Sequence, residues 1–126
     1  MIHGIGTDIV RIARVGASLA RHGERFAERI LAVSERDAFA DSRDPARFLA
    51  KRFAAKEAFG KALGTGVAVP ATLHALSIGH DTLGKPLFQY SDDLARYLAE
   101  RRMAAHLSLS DETDYVVAFA LIEYER

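Results

Sequence analysis

The spacing of hydrophobic and polar positions changes several times along this chain, and each change predicts a new element. Residues 2–10 (IHGIGTDIV) read with period two as a strand. Ile2, Gly4, Gly6, Asp8 and Val10 share one face; His3, Ile5, Thr7 and Ile9 share the other, so both faces are apolar. The two glycines beside Asp8 predict an open shelf, or close approach of a ligand or backbone. Asp8 itself reads either as a cap for the next helix or as a ligand on that shelf.

Residues 11–30 switch to a helical period, with a break near Gly23. Ile12, Val15, Leu19, Phe26 and Ile30 form a stripe for burial. At about 100° per residue, Arg11, Arg14, Arg21, Arg25 and Arg29 form a second stripe roughly 80° wide. That stripe is either a solvated face or a dock for an acidic partner. Residues 34–40 predict a short helix capped by Ser34, with Asp37 three positions on. Asp44 as N-cap and Pro45 in the first turn open a long helix that runs to about Leu63 and stops at Gly64. Phe48, Leu49, Arg52, Phe59 and Leu63 supply much of its packing surface.

The second half alternates again. Residues 74–80 and 86–90 flank the turn DTLGK and predict a hairpin. Ser91 caps an amphipathic helix with Leu94, Tyr97 and Leu98 inward. Residues 104–110 form a strand with His106, Ser108 and Ser110 on one face. The last strand, YVVAFALIEYE, is apolar on both faces, which places it at the centre of a sheet or at an interface. The order predicts one α+β domain over residues 1–126, a mostly antiparallel sheet packed against one long helix and several shorter ones.

Composition narrows the class. About half the residues are hydrophobic and about a quarter charged, as in ordinary folded domains. No apolar run approaches the roughly 20 residues of a membrane span, and MIHGIGTDIV has no secretory pattern. Cysteine is absent, so thiol catalysis and thiolate metal sites are excluded, which suits the cytoplasm. Lys plus Arg and Asp plus Glu balance at 17 each, which argues against a nucleic-acid binder.

The chemistry concentrates in FAAKEAFGKALGTG, residues 53–66. Phe53, Glu57 and Lys61 recur every four residues on one helical face, and the plain account is a Glu–Lys pair. Gly64-Thr65-Gly66 follows at once, either as a helix stop or as a loop offering backbone N–H groups to phosphate. Asp8 and Glu57 together would suit Mg²⁺, which takes one or two carboxylates and fills its octahedron with water and phosphate oxygens. His106 is a candidate base or phosphate contact; the other four histidines share no ligand spacing.

GIGTDIV (4–10), RFAAKEAFGKALGTG (52–66) and HLSLSDE (106–112) resemble, in order and over nearly the whole chain, the signature segments of the holo-[acyl-carrier-protein] synthase family of short 4'-phosphopantetheinyl transferases. RFAERIL and the GKP turn are also similar to it. The resemblance implies transfer of the 4'-phosphopantetheine arm of coenzyme A to a serine of apo acyl carrier protein, with Mg²⁺ required. Adenosine 3',5'-bisphosphate would leave, and the reaction would support fatty acid biosynthesis. It implies Asp8 and Glu57 as metal ligands, and Glu57 or a water it orients as the base. Lys61 would act at the leaving phosphate. Lys56, Gly64, Thr65, Gly66 and His106 would hold coenzyme A, and Arg14, Arg21, Arg25 and Phe26 would dock the acidic carrier. It further implies a homotrimer with active sites at subunit interfaces. Ser18 stands where some relatives carry a larger apolar residue, and Asp111 where some carry histidine. A module that holds a nucleotide without turning it over is the rival reading, and loss of Asp8 or Glu57 would mark it; both are present.

Overall fold

A computed structural model describes residues 1–126. In chain order the elements are β1 (Ile2–Arg11), α1 (Ile12–His22), α2 (Glu24–Ile30), α3 (Arg36–Ala40), α4 (Pro45–Leu63), β2 (Leu76–His80), β3 (Pro86–Tyr90), α5 (Asp92–Glu100), β4 (Met103–Asp111) and β5 (Tyr115–Tyr124). Short 3-10 turns at Val33–Glu35 and Leu73–Ala75 join them. β5 lies between β1 and β4 in an antiparallel sheet, and β2 and β3 form a separate hairpin. The α+β class and the central last strand are therefore as the sequence predicts.

Alternation along β5 decides which way the sheet faces. Val116, Ala118, Ala120 and Ile122 are fully buried under α4, while Val117 and Phe119 face outward. Helix α4 is buried on most of its sides, and its residues Leu49, Ala54, Ala58, Phe59 and Ala62 disappear into one cluster of 23 buried residues. Asp44 caps it, accepting the Arg47 N–H at 3.2 Å, and Gly64 ends it at φ 98°.

The shelf predicted beside Asp8 is not open. A Cβ on Gly4 would lie 2.1 Å from the Ala62 carbonyl oxygen, and one on Gly6 2.1 Å from that of Ala58. The glycines admit the backbone of α4 rather than a ligand. Ser34 does not cap α3 either. It sits in the preceding 3-10 turn, where the carboxylate of Glu35 instead accepts the Ala32 N–H at 3.0 Å.

Candidate active site

Direct packing of α4 on β1 carries the site. Two residues past Gly6, Asp8 emerges at the helix, where Lys61 donates to its Oδ1 at 3.2 Å and to the Thr7 carbonyl at 2.9 Å. Lys61 thus pairs across to the strand, not back to Glu57 along its own helix. Glu57 and Asp8 line one cavity of about 450 Å³. Burial raises the Glu57 carboxyl above its ordinary range, and the Asp8 charge adds to this; Lys61 pulls the other way. Two carboxylates here repel each other, and a cation between them would relieve both effects.

The rest of the lining is basic and apolar. Arg11, Arg14 and Arg29 line the cavity with Phe26, Ile30, Phe53 and Leu73. The single arginine stripe predicted for residues 11–30 is divided at Gly23, whose φ of 62° breaks the helix and shifts its register. Arg21 and Arg25 consequently line a second, adjacent pocket with His22. Phe26 and Arg29 belong to both, so the basic surface is continuous with the acid-bearing cavity.

The geometry of this chain bears on three of the phosphate contacts that the resemblance implies. Lys56 is fully buried. Its ammonium donates to the Ile30 carbonyl (2.8 Å), Glu35 Oε1 (2.6 Å) and the Leu73 carbonyl (2.9 Å), which leaves no proton for a phosphate. In the glycine loop, the N–H groups of Gly64 and Gly66 both donate to the Gly60 carbonyl at 3.0 Å. They complete a helix stop and are not presented to an anion, while Thr65 donates its hydroxyl to the Gly66 carbonyl. His106 lies on the outer face of β4, 3.2 Å from Glu123 Oε2, and is not brought to the Asp8–Glu57 cavity of its own chain. Asp111 is occupied as well, paired with Arg47 and Lys51.

Glu35 is the residue that sequence reasoning missed. It is buried between Lys56 and Arg52 and also accepts the Ile78 N–H at 3.1 Å. Burial works to raise its carboxyl, but the adjoining Lys56 and Arg52 overcome this and hold it below the ordinary carboxylate range. A signal existed: Leu49, Arg52, Lys56, Phe59 and Leu63 recur at spacings of three and four, so two cations sit on a core stripe. Buried cations need a buried anion.

An α+β scaffold that sets paired carboxylates and a lysine against a wall of arginines belongs with enzymes that work on phosphates. The chain belongs to the 4'-phosphopantetheinyl transferase superfamily, whose family model matches residues 4–120, and is an enzyme of that family. It is 77% identical over 98% of its length to the holo-[acyl-carrier-protein] synthase of Azoarcus sp. (strain BH72), of which 98% is covered. The crystal structure of the holo-[acyl-carrier-protein] synthase from Neisseria meningitidis superposes with a TM-score of 0.94 at 47% identity, covering 98% of this chain and 99% of that one. The Bacillus anthracis counterpart, solved in complex with CoA (3',5'-ADP), superposes at 0.83 with 33% identity and 99% coverage of both chains. No helix is long and apolar enough to cross a membrane.

Proposed function

We propose that the protein transfers 4'-phosphopantetheine from coenzyme A to a serine hydroxyl of apo acyl carrier protein. The serine oxygen bonds to the phosphorus that bears the pantetheine arm, and the diphosphate P–O–P bridge breaks. Adenosine 3',5'-bisphosphate leaves, and the holo carrier supports fatty acid biosynthesis in the cytoplasm. The observation that supports this most is the meeting of Asp8 and Glu57 in one arginine-walled cavity.

Asp8 and Glu57 would hold Mg²⁺, since two hard carboxylates that repel each other suit a cation completing its shell with water and phosphate. Bound there, the ion would neutralise charge on the diphosphate. Glu57, or a water it orients, accepts the serine proton. Lys61 sits 3.2 Å from Asp8 and neutralises the departing phosphate. In the 64–66 loop, the Thr65 hydroxyl would turn from the Gly66 carbonyl to donate to a phosphate. Arg14, Arg21, Arg25 and Phe26 receive the acidic carrier on the surface that runs into the cavity.

The test is intact mass of an apo carrier incubated with the protein, coenzyme A and Mg²⁺. One added phosphopantetheine group is expected; no addition to any apo carrier would refute the reaction. Arg14→Glu is expected to raise the apparent KM for the carrier about tenfold, with that for coenzyme A nearly unchanged. Equal effects on the two would remove the docking role.

The outer sheet face supports a homotrimer. Ile5 and Ile9 are 59% and 63% exposed, beside Val117 and Phe119. An apolar sheet face of this kind fits burial against further copies of the chain. His106 lies on the same side and would then approach a neighbouring subunit's site. Phe119→Arg is expected to convert trimer to monomer in light scattering after size exclusion. A wild-type protein that elutes as a monomer would end this proposal.

A further inference from the structure

We infer that Lys56 is a positioning residue: from inside the core it fixes the arginine-bearing helix α2 and the Leu73 turn against Glu57, and so sets how the carrier meets the site. This rests on the transfer reaction proposed above. Helix α2 has seven residues. So short a helix is held in place by tertiary ties rather than by its own hydrogen bonds. Its last residue is Ile30, and the Ile30 carbonyl is among the orphan acceptors of a helix C-terminus, where a cation is favourable. The Lys56 ammonium fills that place at 2.8 Å.

The same ammonium holds the Leu73 carbonyl at 2.9 Å. Ile30 and Leu73 both line the cavity that contains Glu57, the next residue after Lys56 on α4. One buried group therefore locates two walls of the cavity relative to the carboxylate. His74 adds a second tie, its Nε2 lying 2.7 Å from the Glu28 carbonyl, so α2 and the turn move as a unit. Glu35 holds the ammonium at 2.6 Å, and Arg52 steadies Glu35 at 2.8 Å while donating to the Ile78 carbonyl. No buried polar side-chain atom in this network is left without a partner.

Two variants separate positioning from stability. Lys56→Met removes both carbonyl ties and leaves Glu35 paired with Arg52. The triple variant Glu35→Gln, Arg52→Met and Lys56→Met replaces the whole buried ionic network by neutral groups, which proteins often tolerate well. Both are assayed well below their melting temperatures. Carrier binding is followed by fluorescence anisotropy and coenzyme A binding by calorimetry, so that the result does not depend on turnover. A loss of carrier affinity is expected in both, and kcat/KM for the carrier, measured separately, should fall on the order of 100-fold, as for a misplaced reacting group. Coenzyme A affinity should stay within about twofold, and the triple variant should melt at or above Lys56→Met. A merely structural lysine would let carrier affinity recover along with melting temperature. That recovery, wild-type carrier affinity in Lys56→Met, or failure of the triple variant to fold would each overturn the inference. A wild-type protein without transfer activity would instead refute the underlying reaction.

Discussion

Glu57→Gln is expected to lose about three orders of magnitude in kcat, the scale seen when a group that acts on developing charge is removed. The amide cannot accept the serine proton and contributes no charge to a cation. The fold should not suffer. Burial and the Asp8 charge both disfavour the Glu57 carboxylate, so a neutral isostere relieves a cost, and the variant should melt at or above the wild-type temperature. Asp8→Asn should be equally inactive but slightly less stable, because it removes the Lys61 partner at 3.2 Å. Single-turnover rates at saturating coenzyme A and carrier, read with thermal melts, make the check. Wild-type rates in Glu57→Gln would remove both roles assigned to it.

Gly6→Ala is expected to be the most damaging single methyl in the molecule. The new Cβ would stand 2.1 Å from the Ala58 carbonyl oxygen and 2.8 Å from the Ala62 nitrogen. Both are backbone atoms of α4, so no rotamer change relieves the clash. The helix must lift from β1. Overpacking of this kind costs about 3 kcal/mol, or roughly 10 °C in melting temperature for a domain of this size. The injury also reaches the site, since lifting α4 separates Lys61 and Glu57 from Asp8. Melts and mass-based transfer assays at low temperature would show both losses. An alanine variant with wild-type melting temperature would mean that helix and strand are not in this contact.

These two residues show what could be read in advance. Glu57 was legible because its face, its lysine neighbour and the following glycines are local facts. Gly6 was legible as a close approach, but not as an approach by α4, because a glycine does not record what lies against it. Lys56 is hard to read for a related reason. Its position in the motif says that a cation is required, and only its place on the stripe from Leu49 to Leu63 hints that the cation points inward. The anion that meets it, Glu35, lies outside any local pattern, in a turn where Ser34 looked like the better cap. The glycine loop is ambiguous because two structures share its chemistry. Backbone N–H groups that could cradle a phosphate are the same groups that close a helix, and here the Gly60 carbonyl takes them.

Sequence by itself determined the succession of strands and helices, the caps at Asp44, Gly64 and Ser91, the central place of the last strand and the family. Periodicity, capping and motif spacing act between near neighbours and need no partner from elsewhere. Tertiary structure alone decided that Asp8 and Glu57 share a cavity, that Lys61 reaches the strand, that the arginines divide into two linked pockets, and that Lys56 is spent inside the core. Each of those depends on side chains distant along the chain, brought together by a helix resting on two glycines, and no local rule fixes where such a contact will fall.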